Sequence, residues 1–106
     1  FIGEQDRHDG MPLYEAIVLK AREAGLAGAT VTRGVLGYGR SSRLHTAKIL
    51  RLSADLPMLV EIVDTEDRVR AFLPELDALM DHGSGLVLLE PTRVMRYGTE
   101  GGREGR

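Results

Sequence analysis

The order of helix and strand signals along this chain of 106 residues predicts an α+β fold of the ferredoxin-like (split βαβ) kind. Two segments carry apolar residues at helical spacing, and four shorter segments are rich in β-branched or aliphatic residues. Their order is strand, helix, strand, long loop, strand, helix, strand. A βαββαβ chain of this kind forms a four-stranded antiparallel sheet with both helices packed on one face.

The first helix is predicted at residues 12–25. Pro12 suits the first turn of a helix, because the N–H that proline lacks would have no partner there. Apolar residues then recur every three or four positions, and Gly25 provides a residue that readily ends a helix in the left-handed conformation. The residues of this apolar face are Leu13, Ile17, Ala21 and Ala24.

The second helix is predicted to begin after Asp64 or Thr65, either of which is a favourable N-cap, and to end at Gly83. Pro74 lies inside this segment and is expected to bend the helix, because proline removes one hydrogen bond of the helix. The apolar stripe consists of Val69, Phe72, Leu73, Leu76, Leu79 and Met80.

The strands are predicted from their β-branched and aliphatic composition. Residues 1–3 are interpreted as the end of a first strand, from which native N-terminal residues are expected to be missing. A polar, turn-rich connection is predicted at residues 4–10, and residues 41–50 hold a weaker signal for a short helix. The other predicted strands are residues 29–36, 56–63 and 86–89, the last of which continues into 92–97 beyond Pro91.

The composition indicates one globular domain, predicted at residues 1–97, with a flexible C-terminal tail at residues 98–106. With 42% hydrophobic and 28% charged residues, the chain is long enough for a single core. It contains no cysteine, which excludes disulfides and thiolate metal sites and agrees with a cytoplasmic location. No apolar run approaches the roughly 20 residues that a membrane-spanning helix needs.

Several functional classes are disfavoured by the residues present. The three histidines are scattered and do not have metal-ligand spacing, so no metal site is predicted. Ser42 and His45 are able to share one helical face, yet no acid is placed to orient the histidine, so no enzymatic activity is predicted. Nucleic-acid binding is disfavoured because aromatic residues are few and the pI is near 5.9.

A basic segment at residues 33–51 is the most distinctive feature of the sequence. It contains five basic side chains and no acid, in a chain of net charge -2. Gly34, Gly37 and Gly39 allow backbone amides to turn outward, and amides beside guanidinium groups form concave anion sites. The alternatives are turn chemistry alone, or a solvated loop whose Arg33 and Arg51 form surface ion pairs with Glu61 and Asp55. The basic residues are Arg33, Arg40, Arg43, Lys48 and Arg51.

The predicted sheet carries apolar residues on both faces. Within residues 56–63 both parities are apolar, and every residue of 86–89 is apolar. Two helices cover only one face, so we expect a second copy of the chain to cover the other.

The segment GLAGATVTRGVLGYGR resembles the strand and loop base of the PII signalling proteins. The chain is most similar to an uncharacterised branch of PII-like proteins, a domain of unknown function. The segments that carry the resemblance are GEQDR, PLYEAIV, AGATVTRGVLGYG, SSRLHTAKILRLSADLP, EIVDTE and LPELD. It implies a ferredoxin-like homotrimer that binds adenine nucleotides between subunits at the base of the long loop. Members of this branch often accompany fluoride-channel genes, which implies a transporter or channel as partner.

Carried over to this sequence, the resemblance implies a set of ligand-binding residues. Gly37, Gly39 and Arg40 match the loop base near the nucleotide phosphates, Thr32 lies on the strand behind it, and Arg43 follows in the loop. Arg93 and Arg96 replace the arginines of the C-terminal segment, at a register offset by about one. The lysine-bearing phosphate loop of PII proteins is reduced here to His82-Gly83-Ser84-Gly85. A mono- or diphosphate such as AMP or ADP, or a cyclic or other adenylate, is therefore expected rather than a triphosphate.

A second interpretation of the basic loop is a non-enzymatic adaptor. In it the loop docks directly on a membrane transporter or channel without nucleotide. The residues that a partner would meet first are Arg43, His45 and Lys48.

Overall fold

The computed structural model describes residues 1–38, 55–80 and 85–96. Two helices and two antiparallel sheets form a mixed α+β fold that is compatible with the predicted ferredoxin-like arrangement. The elements are β1 (Ile2–Gly3), β2 (Arg7–His8), β3 (Met11–Pro12), α1 (Leu13–Glu23), β4 (Gly28–Arg33), β5 (Pro57–Val63) and α2 (Glu66–Leu79).

The main sheet has the strand order β1-β5-β4, and each neighbouring pair is antiparallel. The register pairs Ile2 with Met58 and Val31 with Val60. In this sheet β5, the last of its three strands in the sequence, lies between the other two, as a split βαβ unit requires. The antiparallel arrangement predicted for the sheet is therefore confirmed for these three strands.

The predicted strand at residues 86–89 is wrong as a regular strand, because residues 85–96 form no strand in the structure. Leu86 and Phe1 nevertheless exchange two backbone hydrogen bonds, of 2.9 and 2.8 Å, as a directly opposed antiparallel pair does. This pair lies at the β1 side of the sheet, where a fourth strand is expected.

A small hairpin replaces the irregular connection predicted at residues 4–10. Strand β2 pairs with β3, so that Arg7 is opposite Pro12 and His8 is opposite Met11. Asp9 and Gly10 form the two-residue turn with φ angles of 50° and 83°. Two positive φ angles are what a type I′ hairpin turn requires, and Asp-Gly is among its preferred sequences. The dipeptide was visible in the sequence, but its hairpin was not predicted.

The core lies between the helices and one face of the main sheet. Met58, Val60 and Ile62 face the helices, together with Ala29 and Val31. The buried residues of the core are Ile2, Leu13, Ala16, Ile17, Ala21, Met58, Phe72, Leu76 and Leu79.

The opposite face of the sheet is of mixed polarity. On β5 it carries Leu59, Glu61 and Val63, and the register places Thr32 opposite Leu59 and Thr30 opposite Glu61. The two-faced apolar pattern predicted for β5 therefore belongs to that strand and does not extend to its neighbour.

Both helices occur where they were predicted, with shorter ends. Pro12 precedes α1 as its N-cap residue, and Gly25 has the expected left-handed conformation with φ of 79° just beyond the helix. Thr65 occupies the N-cap of α2 but makes no capping hydrogen bond with its side chain. Pro74 lies inside α2 as predicted, and Met80 is the C-cap residue. None of the described helices is both long and apolar enough to cross a membrane.

The two connections at one end of the sheet are joined through Asp64. Its carboxylate accepts hydrogen bonds from the backbone N–H of Thr65 at 2.7 Å and of Ala27 at 2.8 Å, and from Nε of Arg68 at 3.0 Å. The guanidinium of Arg68 also donates to the carbonyl of Gly25. Asp64 and Arg68 thus tie the turn after α1 to the turn before α2.

This hydrogen bonding also acts on the ionisation of Asp64. The backbone N–H of Thr65 is the main cause of a pKa below the ordinary value of 3.8, with further lowering from Ala27 and Arg68. Only 8% of the Asp64 side chain is exposed. Because the pKa is lower in the folded chain than in the unfolded chain, Asp64 stabilises the fold above about pH 4 and loses that effect as the pH falls further.

We expect Asp64→Asn to flatten the dependence of the free energy of unfolding on pH between about pH 5 and pH 2. The single oxygen of the asparagine amide still accepts a hydrogen bond from one of the two backbone N–H groups, but the side chain has no charge to lose. Urea denaturation at several pH values measures the slope, and Asp77→Asn, at an exposed position of α2, is the matched control. Equal slopes for wild type and Asp64→Asn would contradict the role given to this carboxylate.

Candidate functional site

The base of the basic loop is held by backbone hydrogen bonds at the end of the sheet where β4 stops and β5 begins. The N–H of Gly34 donates to the carbonyl of Pro57 at 2.8 Å, and the N–H of Glu4 donates to the carbonyl of Leu56 at 2.8 Å. The N–H of Gln5 donates to Oδ1 of Asp55 at 2.9 Å. Three chain segments, following β1, following β4 and preceding β5, therefore meet at this base.

Arg33 is the first basic residue of the predicted segment, and it pairs with Glu4. Its Nη1 lies 3.3 Å from Oε2 of Glu4, while the Arg33 side chain remains 56% exposed. The predicted pair with Glu61 is wrong, because the register places Arg33 opposite Met58 and Glu61 opposite Thr30. The predicted pair between Arg51 and Asp55 has one member outside the described residues.

Two of the three glycines at the loop base pack closely against Pro57. A Cβ atom on Gly34 would lie 2.8 Å from Cγ of Pro57, and one on Gly37 would lie 3.2 Å from the same atom. Neither glycine has a positive φ angle. Close packing on a proline ring therefore explains both glycines within the described residues, independently of any bound phosphate. Gly39 lies outside those residues.

The residues around Gly37 are unusually exposed for apolar side chains. Val35 and Tyr38 are each 85% exposed, and Leu36 is 72% exposed. An exposed apolar surface of this kind commonly marks a contact with a ligand or a protein.

The remaining predicted ligand residues do not meet at one place within a single described chain. Thr32 is exposed on the mixed face of β4. Arg93 and Arg96 are exposed and form no hydrogen bond or ion pair with described residues. Their segment starts at Leu86 beside β1, on the side of the sheet opposite to β4. The predicted residues Arg40, Arg43, His45 and Lys48 lie outside the described residues.

The described part of the loop base is not itself strongly basic. It holds one guanidinium, that of Arg33, which pairs with Glu4, and a second carboxylate, that of Asp55, which accepts a hydrogen bond from the N–H of Gln5. An anion at this base would therefore depend on backbone amides and on the basic residues of the sequence after Tyr38. Sequence reasoning missed the anchoring roles of Glu4 and Asp55, whose only signal was their position beside the predicted strand ends.

The described surface was also searched for a metal site and for a groove. No group of His, Asp or Glu side chains within the described residues is suited to hold a metal ion. His8 instead lies 3.5 Å from Asp9 at the hairpin turn. An apolar groove of about 300 Å³ lies between α1 and β4, lined by Tyr14, Glu15, Val18, Leu19 and Val31.

We expect Gly34→Ala to lower the free energy of unfolding by about 1–3 kcal/mol, because the added methyl overlaps the ring of Pro57. In the double variant with Pro57→Ala, part of that loss should be recovered, since the overlapping Cγ is removed. Gly28→Ala is the matched control, as nothing lies within 4 Å of the Cβ it would add. Urea denaturation of Gly34→Ala, Pro57→Ala, the double variant and Gly28→Ala measures the coupling, and purely additive losses would contradict close packing as the reason for this glycine.

Comparison with known proteins identifies relatives along most of the chain. The DUF190 family, described as "Uncharacterized ACR, COG1993", matches residues 1–94. A UPF0166 protein of Aquifex aeolicus is 36% identical over 95 residues, which cover 90% of this chain and 88% of that protein.

Two more relatives carry the same designation. The UPF0166 protein MJ1524 of Methanocaldococcus jannaschii is 31% identical over 96 residues, covering 91% of this chain and 87% of that protein. Another UPF0166 protein of Aquifex aeolicus is 34% identical over 61 residues, covering 58% of this chain and 64% of that protein. The extent of these matches shows that the chain belongs to the DUF190 (UPF0166) family.

Proposed function

We propose that the protein is a PII-like regulatory module, located in the cytoplasm, that binds a small anionic ligand at the base of the long loop. The ligand class is an adenine nucleotide, with AMP or ADP as the preferred candidates. The observation that carries the proposal is the sequence at residues 33–51, where five basic side chains and three glycines occur without an acid.

The described residues that flank the basic segment, at the end of β4 and the start of β5, support a ligand site there. The hydrogen bond from Gly34 to Pro57 fixes the end of β4 against the start of β5, so the chain enters and leaves the basic segment from neighbouring positions. Flanking segments that are already fixed lower the conformational entropy that is lost when the residues between them close on a ligand. Exposed Tyr38 and Leu36 beside Gly37 offer apolar surface to a purine.

The proposal is for binding without catalysis. Phosphates would contact the amides of Gly37 and Gly39 and the guanidiniums of Arg40 and Arg43, with Thr32 behind them. Arg93 and Arg96 would come from a neighbouring subunit, because their segment starts at the opposite edge of the sheet from β4. A cleft between subunits therefore accommodates the full set of predicted residues better than a single chain does.

A homotrimer is part of this proposal. The stretch Leu86–Leu89 is 43–59% exposed at every residue, which is a large apolar surface for a chain of this size. We expect multi-angle light scattering at micromolar concentration to give three times the chain mass. A monomer at that concentration would overturn the cleft between subunits.

We expect AMP or ADP to raise the melting temperature of the protein, because a ligand that binds only the folded state stabilises it. Arg40→Ala should weaken binding by about ten- to a hundredfold, through the loss of a charge-assisted hydrogen bond of roughly 1.5–3 kcal/mol. Gly39→Val should weaken binding at least as much by blocking close approach of the backbone. Calorimetric titration measures both, and Arg22→Ala, at an exposed position on α1, is the matched control.

No binding of an adenine nucleotide by the wild-type protein at millimolar concentration would contradict this proposal. Unchanged affinity in both Arg40→Ala and Gly39→Val would contradict the assignment of the site. In either case the adaptor interpretation takes its place, with Arg43, His45 and Lys48 as the residues that meet a membrane transporter or channel of the fluoride-channel type.

A further inference from the structure

Arg33 is the basic residue of the segment at residues 33–51 that the structure describes. It occupies the last paired position of β4, opposite Met58. The next residue, Gly34, donates its N–H to the carbonyl of Pro57. The backbone of Arg33 is therefore held by the sheet, and its side chain is the part that is free to change partner.

The contact between Arg33 and Glu4 has the geometry of a weak ion pair. The 3.3 Å between Nη1 and Oε2 is longer than the about 2.7–2.9 Å of a strong charge-assisted hydrogen bond, and it uses one nitrogen of the guanidinium. No second acid pairs with Arg33 within the described residues. Because exposed ion pairs stabilise a fold little, the guanidinium can change partner at a small cost in free energy.

Glu4 is held more firmly than the side chain that it contacts. The Glu4 side chain is 24% exposed, against 56% for Arg33. Its backbone N–H donates to the carbonyl of Leu56, and the following N–H, of Gln5, donates to the carboxylate of Asp55. A fixed carboxylate therefore lies beside the base of the basic segment, where it attracts Arg33 and repels an anion that approaches the same guanidinium.

An anion bound at this base competes with Glu4 for Arg33. While Glu4 holds the guanidinium, the described base offers a ligand its backbone amides, and release of Arg33 adds a charged donor. A terminal phosphate carries a charge of about −1.5 to −2 near neutral pH, and it accepts two parallel hydrogen bonds from one guanidinium. Glu4 carries a single charge and takes one nitrogen. Phosphate is therefore the class of anion suited to replace Glu4.

We propose that Arg33 is a further phosphate-binding residue of the site and that Glu4 is a built-in competitor, which holds the guanidinium until a ligand arrives. This role of Arg33 rests on the proposed function and deepens it, because it adds a residue outside the set that the resemblance implies. Binding of a phosphate frees Glu4. Occupancy of the site thus changes a contact between the chain after β1 and the end of β4.

Calorimetric titration of ADP and of inorganic pyrophosphate, at one ionic strength, tests these two roles. We expect Glu4→Gln to tighten the binding of both probes by about two- to fivefold, because the amide competes less for the guanidinium. Arg33→Ala should weaken the binding of both by at least about tenfold, through the loss of a charge-assisted hydrogen bond. Arg33→Lys, which keeps the charge but not the planar fork, should recover part of this loss.

The double variant separates competition for Arg33 from a general effect of charge. If Glu4 acts through Arg33, Glu4→Gln should tighten binding little in the Arg33→Ala background. An equal gain in both backgrounds would overturn the role of Glu4 as a competitor. Weaker binding in Glu4→Gln would overturn it as well, since a purely structural ion pair predicts a loss when either partner is removed.

The ion pair of Arg70 and Glu66 on α2 supplies matched controls. Nε of Arg70 lies 2.8 Å from Oε2 of Glu66, and both side chains are exposed. Glu66→Gln and Arg70→Ala change the net charge as Glu4→Gln and Arg33→Ala do, and they should leave both affinities unchanged. Equal effects of Glu66→Gln and Glu4→Gln would assign the gain to net charge and overturn the role of Glu4.

The same titrations distinguish failure of the proposed function from failure of these two roles. Binding of ADP by the wild type with unchanged affinity in Arg33→Ala would overturn the role of Arg33 and leave the proposed function in place. Binding of neither probe at millimolar concentration, by the wild type or by Glu4→Gln, would overturn both. Thermal melts of each variant show that it is folded before it is titrated.

Discussion

The antiparallel pairing of β4 with β5 is the interaction on which the other described features depend. Its register runs from Gly28 opposite Val63 to Arg33 opposite Met58, and it presents Val31 and Val60 side by side to the helices. At one end, the hydrogen bond from Gly34 to Pro57 fixes the base of the basic loop. At the other end, Asp64 and Arg68 join the connection after α1 to the connection before α2. This strand pair therefore positions both the core and the candidate site.

The sequence predicted the fold where local pattern and tertiary packing agree. The helical stripes of α1 and α2 and the composition of β5 are strong signals, and their positions are confirmed within a few residues. The segment at residues 86–89 failed as a regular strand because a strand also needs a partner, and within the described residues only Leu86 of this segment pairs, with Phe1. Composition alone does not report which backbone a segment has to pair with.

The candidate site was predicted less completely, for a similar reason. Gly37 was chosen for its backbone freedom, and the structure gives it a packing reason, contact with Pro57, that no local pattern reveals. One interpretation paired Arg33 with Glu61 across the sheet, but Arg33 instead pairs with Glu4, in the chain that follows β1. Contacts between segments distant in sequence decide these partners, and they follow from the register rather than from composition.

The hydrogen bonds at the two ends of the sheet also distinguish the residues that the fold requires from those that can vary. The ion pair of Asp64 and Arg68 lies at the end of the sheet opposite to the basic segment. The hydrogen bond between Gly34 and Pro57 joins the two chain segments that flank the basic segment. Exchange of the residues between those two segments would leave the strand pairing, the core and the pair of Asp64 and Arg68 in place. Chains built on this scaffold can therefore change the residues between β4 and β5, by substitution or insertion, while keeping the same described fold.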